Sequence, residues 1–202
     1  LRTSAVSALA ARHLARPDSS RLVLFGAGAQ AWAHAQALTQ VLPITYVDVV
    51  GRSPARAEAL AARIRDELGV EAATGTEQAV TEADVVACCT TAREPLFGGG
   101  LLRPGTTVIA IGAYEPDARE LDDATMGRAT VVVESRSSAL REAGDVIQAI
   151  AAGVIAERDL ATLRGLVRGE VSLSDGAVRV FKGTGMSWQD LSVAGTLQRR
   201  LG

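Results

Sequence analysis

Gly26 and Gly28, followed by Ala31, stand at the spacing of a dinucleotide-binding turn. An apolar run, residues 22–25, leads into Gly26, and an alanine-rich helical pattern opens near Ala29. In such a strand–turn–helix the first glycine permits the tight turn and the second lets backbone approach a pyrophosphate. A small third residue lets the helix lie close to the sheet. The N–H groups of the first helical turn, at Ala29 and Gln30, then face the anion. The same pattern also suits a plain packing corner, so its surroundings must decide.

The second strand reads Val47-Asp48-Val49-Val50-Gly51-Arg52-Ser53. NAD-binding sheets usually end this strand with an acid that accepts hydrogen bonds from the ribose, about 20 residues past the glycines. Asp48 has that separation but lies inside the strand. The strand-end position is Gly51, with Arg52 and Ser53 just beyond. A guanidinium and a hydroxyl there can hold a 2′-phosphate by charge-assisted hydrogen bonds. This favours NADP(H), with NAD(H) possible. Ser53 also suits the cap of the next helix, with Pro54 at its first position.

Other reactive residue types offer less. Cys88 and Cys89 are neighbours on one strand and point to opposite faces, which suits buried small hydrophobes better than a disulfide. No Cys/His spacing resembles a metal site. His13 and His34 fall in helices with no carboxylate or nucleophile paired in sequence, and a surface or half-buried role is expected for His34. Gly98-Gly99-Gly100 lacks the Lys-Ser/Thr of a phosphate loop and reads as a flexible connector before the Pro104-Gly105 turn. The charged stretch Glu115, Asp117, Arg119, Glu120 reads as a solvated loop.

The elements that would position these residues alternate. Strands are expected at 22–25, 45–50, 71–74, 84–89, 107–111 and 129–133. Helical patterns cover 29–41, 54–68, 76–81 and 122–127. Short apolar strands between helices argue for a doubly wound parallel sheet of the α/β class, a Rossmann-type domain with strand order 3-2-1-4-5-6. Three divisions of the chain follow. Residues 1–20, a helix over 1–16 with a linker, belong partly to a second domain. Residues 21–135 form the dinucleotide-binding domain. Residues 136–202 return toward the second domain through a helix at 136–152, a short helical region at 153–169, a strand at 178–181 and a closing helix at 186–201.

Composition sets the outer bounds. The 202 residues are 48% apolar and 22% charged, with net charge −2. That balance gives no reason to expect nucleic-acid or membrane binding. No apolar run is long enough to span a bilayer and no signal-peptide pattern is present, so a cytoplasmic protein is expected. The first residue is Leu1, which leaves room for an upstream start.

Motifs in order along the chain resemble the ornithine cyclodeaminase/mu-crystallin family. They are Leu1-Arg2-Thr3-Ser4-Ala5, Gly26-Ala27-Gly28-Ala29-Gln30-Ala31, Thr91-Ala92-Arg93-Glu94-Pro95 and the run from Gly112 to Asp122. Glu142-Ala143-Gly144-Asp145, Phe181-Lys182-Gly183-Thr184-Gly185 and Gln189-Asp190 continue the series. The resemblance implies a nucleotide domain joined to a dimerisation and substrate domain, a homodimer, and a small amino-acid or imine substrate. It also implies a long additional N-terminal segment supplying a further Arg and Lys, so that the active site in this chain is expected to be incomplete.

By the same resemblance Arg2 grips a substrate carboxylate and Glu142 stands on the substrate side. Thr3 lies close to the cofactor, and Gly26, Gly28, Ala29 and Gln30 hold the pyrophosphate. Arg52 and Ser53 match the pair of NADPH-using members. Thr90 contacts the ribose or nicotinamide side, Ile111, Gly112, Ala113 and Tyr114 form the loop beside the nicotinamide, and Lys182, Gly183 and Thr184 form a return loop to the cofactor. Three positions depart from the family pattern. Tyr114 replaces an Asp that handles a proton in cyclodeaminases, and a phenol is a poor base near neutral pH. Ala118 replaces a Lys. Gly183 replaces a Ser, leaving contacts there to backbone or Thr184.

The expected function is an NAD(P)-dependent oxidoreductase that reduces an imine (ketimine) or acts on an amino acid. Two alternatives stand beside it: an ornithine cyclodeaminase that releases ammonia, and a non-catalytic NADP or ligand-binding protein.

Overall fold

The computed structural model describes residues 1–201. Helix α1 (Arg2–Leu14) buries Ser7, Ala11 and Leu14 and leaves Leu9 outward. Strand β1 (Arg21–Phe25) runs into the glycine turn and helix α2 (Ala29–Thr39). Strand β2 (Tyr46–Val50) is followed by α3 (Pro54–Leu68), whose ends are written in sequence. Ser53 caps it with Pro54 at its start, and Gly69 closes it at φ 66°. Its buried stripe is Ala57, Leu60, Ala61 and Ile64, the spacing of one helix face. Strands β3 (Glu71–Thr74), β4 (Val85–Cys88) and β5 (Thr107–Ala110) follow, then α4 (Asp123–Gly127) and β6 (Ala129–Val133). The chain continues through α5 (Arg136–Glu142), α6 (Gly144–Ala151), β7 (Ala161–Thr162), α7 (Leu163–Val167), β8 (Val178–Lys182) and α8 (Ser187–Leu201).

All described strands join one parallel sheet in the order β3-β2-β1-β4-β5-β8-β6-β7. Side chains alternate between two cores. Leu22, Leu24, Val47, Ile109 and Phe181 pack on one face, and Val23, Phe25, Val108, Val131 and Val180 on the other. Burial on both faces is why the strands read as continuous apolar runs. The register aligns Phe25 with Val50 and Cys88, Cys88 with Ala110, and Lys182 with both Ala110 and Val133. The strands therefore end at one edge, and the loops leaving them share a single groove.

The expected order 3-2-1-4-5-6 holds as far as β5. There β8 takes the place beside β5 and displaces β6 by one position. Local apolar pattern marks a strand but carries no address for its neighbour. The helix expected over 136–152 is two helices, broken at Ala143 (φ −84°, ψ 95°). A side chain at Gly144 would meet the carbonyl oxygen of Ala118 at 1.9 Å, so the break lets backbone pass close to backbone. The segment 76–81 forms a 3-10 helix, Glu77–Glu82, and the region 153–169 contains the short strand β7 as well as helix.

The glycine triplet is no flexible connector. Gly99–Leu101 is a 3-10 turn, and the Gly99 N–H donates to Asp122 Oδ2 at 2.9 Å while its carbonyl accepts from Arg128. His34 also departs from expectation: it is fully buried between α1 and α2. Among the described residues no helix is long and apolar enough to cross a membrane.

Candidate functional site

Two cavities lie along the shared strand edge and meet at Cys89, Thr90 and Thr91, the residues leaving β4. The larger, about 820 Å³, is bounded by Gly26, Gly28, Gly51, Arg52, Ser53 and Arg56. The smaller, about 330 Å³, is bounded by Arg2, Gln30, Ile111, Tyr114, Phe181 and Thr184, among others.

The glycines of the larger cavity differ in what they do. Gly26 has φ 105°, and a side chain on it would come within 2.5 Å of the Cys89 carbonyl oxygen. It lets β1 turn tightly over β4. A side chain on Gly28 would meet nothing within 4 Å, because that position faces the open cavity. Gly28 caps α2 without a side chain, so the first-turn N–H groups have no side-chain acceptor. Ala29, exposed, lies in that first turn. An open face on an unfilled helix N-terminus fits a dinucleotide diphosphate. Arg52 has no ion-pair partner among the described residues, while Asp48 is committed inside β2 to Arg21 at 3.1 Å. Ser53 Oγ accepts from Arg56 N at 3.5 Å, a long cap bond. Arg56 and Glu77, which sequence reasoning did not single out, also face this cavity.

The smaller cavity joins the chain's beginning to its end. Arg2 opens α1 and pairs with Asp190 of α8 at 3.2 Å, and its Nη1 donates to Gln189 Oε1 at 3.3 Å. Thr3 lies beside it on the wall. Tyr114 is at the rim, 60% exposed. Thr90, Ile111, Gly112, Gly183 and Thr184 line the floor.

Three carboxylates brace this floor, and all escaped the sequence reading as site residues. Glu120, expected in a solvated loop, is fully buried. Its Oε1 accepts from Thr90 N at 3.0 Å and Thr90 Oγ1 at 2.7 Å, and its Oε2 from Gly112 N at 2.7 Å. Burial pushes its carboxyl above the usual range, against the pull of Lys182 and these donors. Asp145 Oδ1 accepts from Glu120 N and Leu121 N at 2.7 and 2.8 Å. Glu134 accepts from Thr184 N at 2.8 Å, Gly185 N at 2.6 Å and Gln189 Nε2 at 2.7 Å, which fixes the return loop after β8. Each of these three carboxyl groups accepts from two backbone N–H groups, and a single acid gives no sequence signal for that.

Several expected site residues lie elsewhere. Lys182 points inward, with Nζ 2.9 Å from Asp145 Oδ2 and both side chains fully buried. Its side chain does not line either cavity, because the last residue of β8 faces the core side of the sheet. Glu142 lies outside both cavities and pairs with its neighbour Arg141 at 2.5 Å. Ala113 is buried and lines neither. The Gly183 N–H is spent on the Ala110 carbonyl at 3.1 Å, extending the sheet. Burial raises the Cys88 and Cys89 thiols well above their ordinary values, and both are free. Among the described residues no group of His, Cys, Asp or Glu could hold a metal ion.

The chain is similar to proteins with related names. Delta(1)-pyrroline-2-carboxylate reductase of Paracoccus denitrificans is 40% identical over 203 residues, covering 98% of this chain and 64% of that protein. Ketimine reductase mu-crystallin of Rattus norvegicus is 37% identical over 193 residues, covering 96% and 59%. The structure of Thermococcus litoralis Delta(1)-pyrroline-2-carboxylate reductase, in complex with NADH and L-proline, superposes with TM-score 0.91. It is 34% identical, covering 96% of this chain and 62% of that one. The chain thus spans under two thirds of the length of these relatives. Its motifs, its parallel sheet and a family match over residues 1–201 agree, and the chain belongs to the ornithine cyclodeaminase/mu-crystallin family.

Proposed function

We propose that the chain carries the dinucleotide site and part of the substrate site of an NAD(P)-dependent imine reductase. The observation that carries this is the pair of cavities meeting at Thr90, one over the glycine turn and one holding Arg2. The relatives' names, a pyrroline-carboxylate reductase and a ketimine reductase, point to the same chemistry. When bound, a reduced nicotinamide supplies the hydride. The chain's residues do the rest. Gly26, Gly28 and the first turn of α2 hold the diphosphate. Thr90, Gly112 and Thr184, pinned by Glu120 and Glu134, give the ring end a rigid floor. Arg2 receives a substrate carboxylate, which displaces the exposed Asp190 from the guanidinium. A cyclic or open 2-imino acid fits that grip.

The preferred cofactor in this reading is NADP(H). Arg52 faces the cavity unpaired beside Gly51, where an acid would repel a 2′-phosphate. We also propose a homodimer whose second domain begins at α1 and α8, and a cytoplasmic location, which suits two free cysteines.

The test is titration with NADPH and NADH, followed by turnover of a cyclic 2-imino acid. Arg52→Ala should weaken NADPH roughly ten- to a hundredfold, the loss of one charged hydrogen bond, and leave NADH nearly unchanged. Equal wild-type affinity for both, or an equal loss for both, would remove the role given to Arg52. Ammonia release from ornithine in place of imine reduction would move the protein to the cyclodeaminases despite Tyr114.

A further inference from the structure

A second guanidinium faces the larger cavity beside Arg52. Arg56 lines it together with Gly51 and Ser53, is exposed, and has no ion-pair partner among the described residues. The other two arginines of α3 are neutralised on the helix itself: Arg63 pairs with Glu67 at 2.7 Å and Arg65 with Glu58 at 3.1 Å. Glu77 is the one acid on this cavity's wall among the described residues, and it forms an ion pair with neither Arg52 nor Arg56. Gly51 brings the start of α3 to the cavity. A side chain on Gly51 would meet Ala57 Cβ at 3.4 Å and Ala27 Cβ at 3.5 Å, so the first turn of α3 packs close to the glycine turn. Ala57 is buried there, and Arg56, one residue before it, stays on the open side.

Helix formation does not explain this residue. Arg56 is the third residue of α3, the one whose N–H Ser53 Oγ caps. An acid suits that position, because it faces the positive end of the helix dipole and completes the cap with the serine. A cation there is repelled by the same dipole, and no acid stands in the first turn to offset it. An anion in the cavity would offset it. The ester phosphate that distinguishes NADP(H) from NAD(H) carries about −1.5 to −2 charges near neutral pH, spread over three acceptor oxygens. Arg52 alone would leave much of that charge unmet. The Ser53 hydroxyl gives its proton to no acceptor among the described residues, so it adds a donor but no charge. We propose that Arg56 is a specificity-determining residue, a second guanidinium that binds the 2′-phosphate of NADP(H) together with Arg52. The inference rests on the dinucleotide reading and the NADP(H) preference above.

The experiment is fluorescence titration with NADPH and NADH in the absence of substrate, beside urea melts of the cofactor-free protein. Arg56→Ala should weaken NADPH roughly three- to thirtyfold and leave NADH nearly unchanged. Arg56→Lys should keep part of the NADPH affinity, since an ammonium supplies the charge without the fork. Arg52→Ala combined with Arg56→Ala should bring NADPH down to the affinity of NADH or below it. The urea midpoint of Arg56→Ala should equal or exceed that of the wild type, because alanine removes a repelled cation from the first turn. A purely structural role would lower that midpoint and weaken both dinucleotides. An Arg56→Ala loss shared equally by NADPH and NADH would assign Arg56 to the common diphosphate, and no loss would leave it a solvated side chain. Either result overturns the proposal and leaves the Arg52 reading to its own variant. A wild type that binds NADPH no better than NADH, or binds neither, would instead end the reading on which the proposal rests, and the proposal with it.

Discussion

His34 shows how a single residue here is governed by its surroundings. Burial is the main cause that depresses its pKa below the ordinary value near 6.5, and the Gln30 carbonyl opposes it. The unfolded chain then binds the proton first. Stability from a neutral buried His34 is present above about pH 6.5 and falls as pH drops below it. Chemical denaturation at about pH 7.5 and pH 5 should show a smaller acid-side loss in His34→Gln than in the wild type. An identical loss in both would mean that the ring gains its proton in the folded state. The sequence showed the helix under His34 and left its partner unseen, because Ser7 lies 27 positions away and nothing local links them. Glu120 was misread for the same reason. Among Glu115, Asp117 and Arg119 it looks like one more solvated charge, yet it alone turns inward to three donors. The place of Arg52 beside the larger cavity, by contrast, was legible, since it depends only on the strand end next to it.

At the scale of elements, the strand–turn–helix at 21–39 was readable almost whole. The apolar run, the two glycines and the alanine face are local, and each limits backbone in a definite way. The two glycines should separate cleanly on substitution. Gly26→Ala places a side chain against the Cys89 carbonyl in a left-handed backbone and should cost about 1–3 kcal/mol of stability. Gly28 has φ −106°, an extended conformation open to any residue. Gly28→Val should change stability by less than about 0.5 kcal/mol and weaken a dinucleotide on the order of tenfold or more, by filling its approach. Urea melts and cofactor titration of both variants check this. A stable Gly26→Ala, or a Gly28→Val that binds normally, would undo the division of labour. The break between α5 and α6 was not readable. Their helical pattern is unbroken in sequence, and only the Ala118 backbone, arriving from another loop, forces the gap at Gly144.

At the scale of the molecule, buried charge and exposed apolar surface carry the two remaining expectations. Lys182 and Asp145 tie β8 to α6 with no exposure to solvent. Removing one partner of such a pair typically costs about 3–5 kcal/mol, since the other stays buried and uncompensated. Lys182→Met should fall in that range, and adding Asp145→Asn should recover part of the loss. Additive losses in urea denaturation would show that the two groups are not coupled. On the outside, Trp188 and Leu191 of α8 are 59% and 75% exposed. If they meet a second copy, Trp188→Glu with Leu191→Glu should shift sedimentation from dimer to monomer while leaving the circular dichroism unchanged. A wild type that sediments as a monomer would end the dimer proposal. The placement of β8 bears on how the chain is made. A ribosome delivers β1 to β5 first, and these can zip to one another as they emerge. Strands β6 and β7 come next, but they pair only with each other and with β8. Until Val178–Lys182 has left the exit tunnel, two partial sheets wait with bare facing edges, and one late strand closes the seam between them.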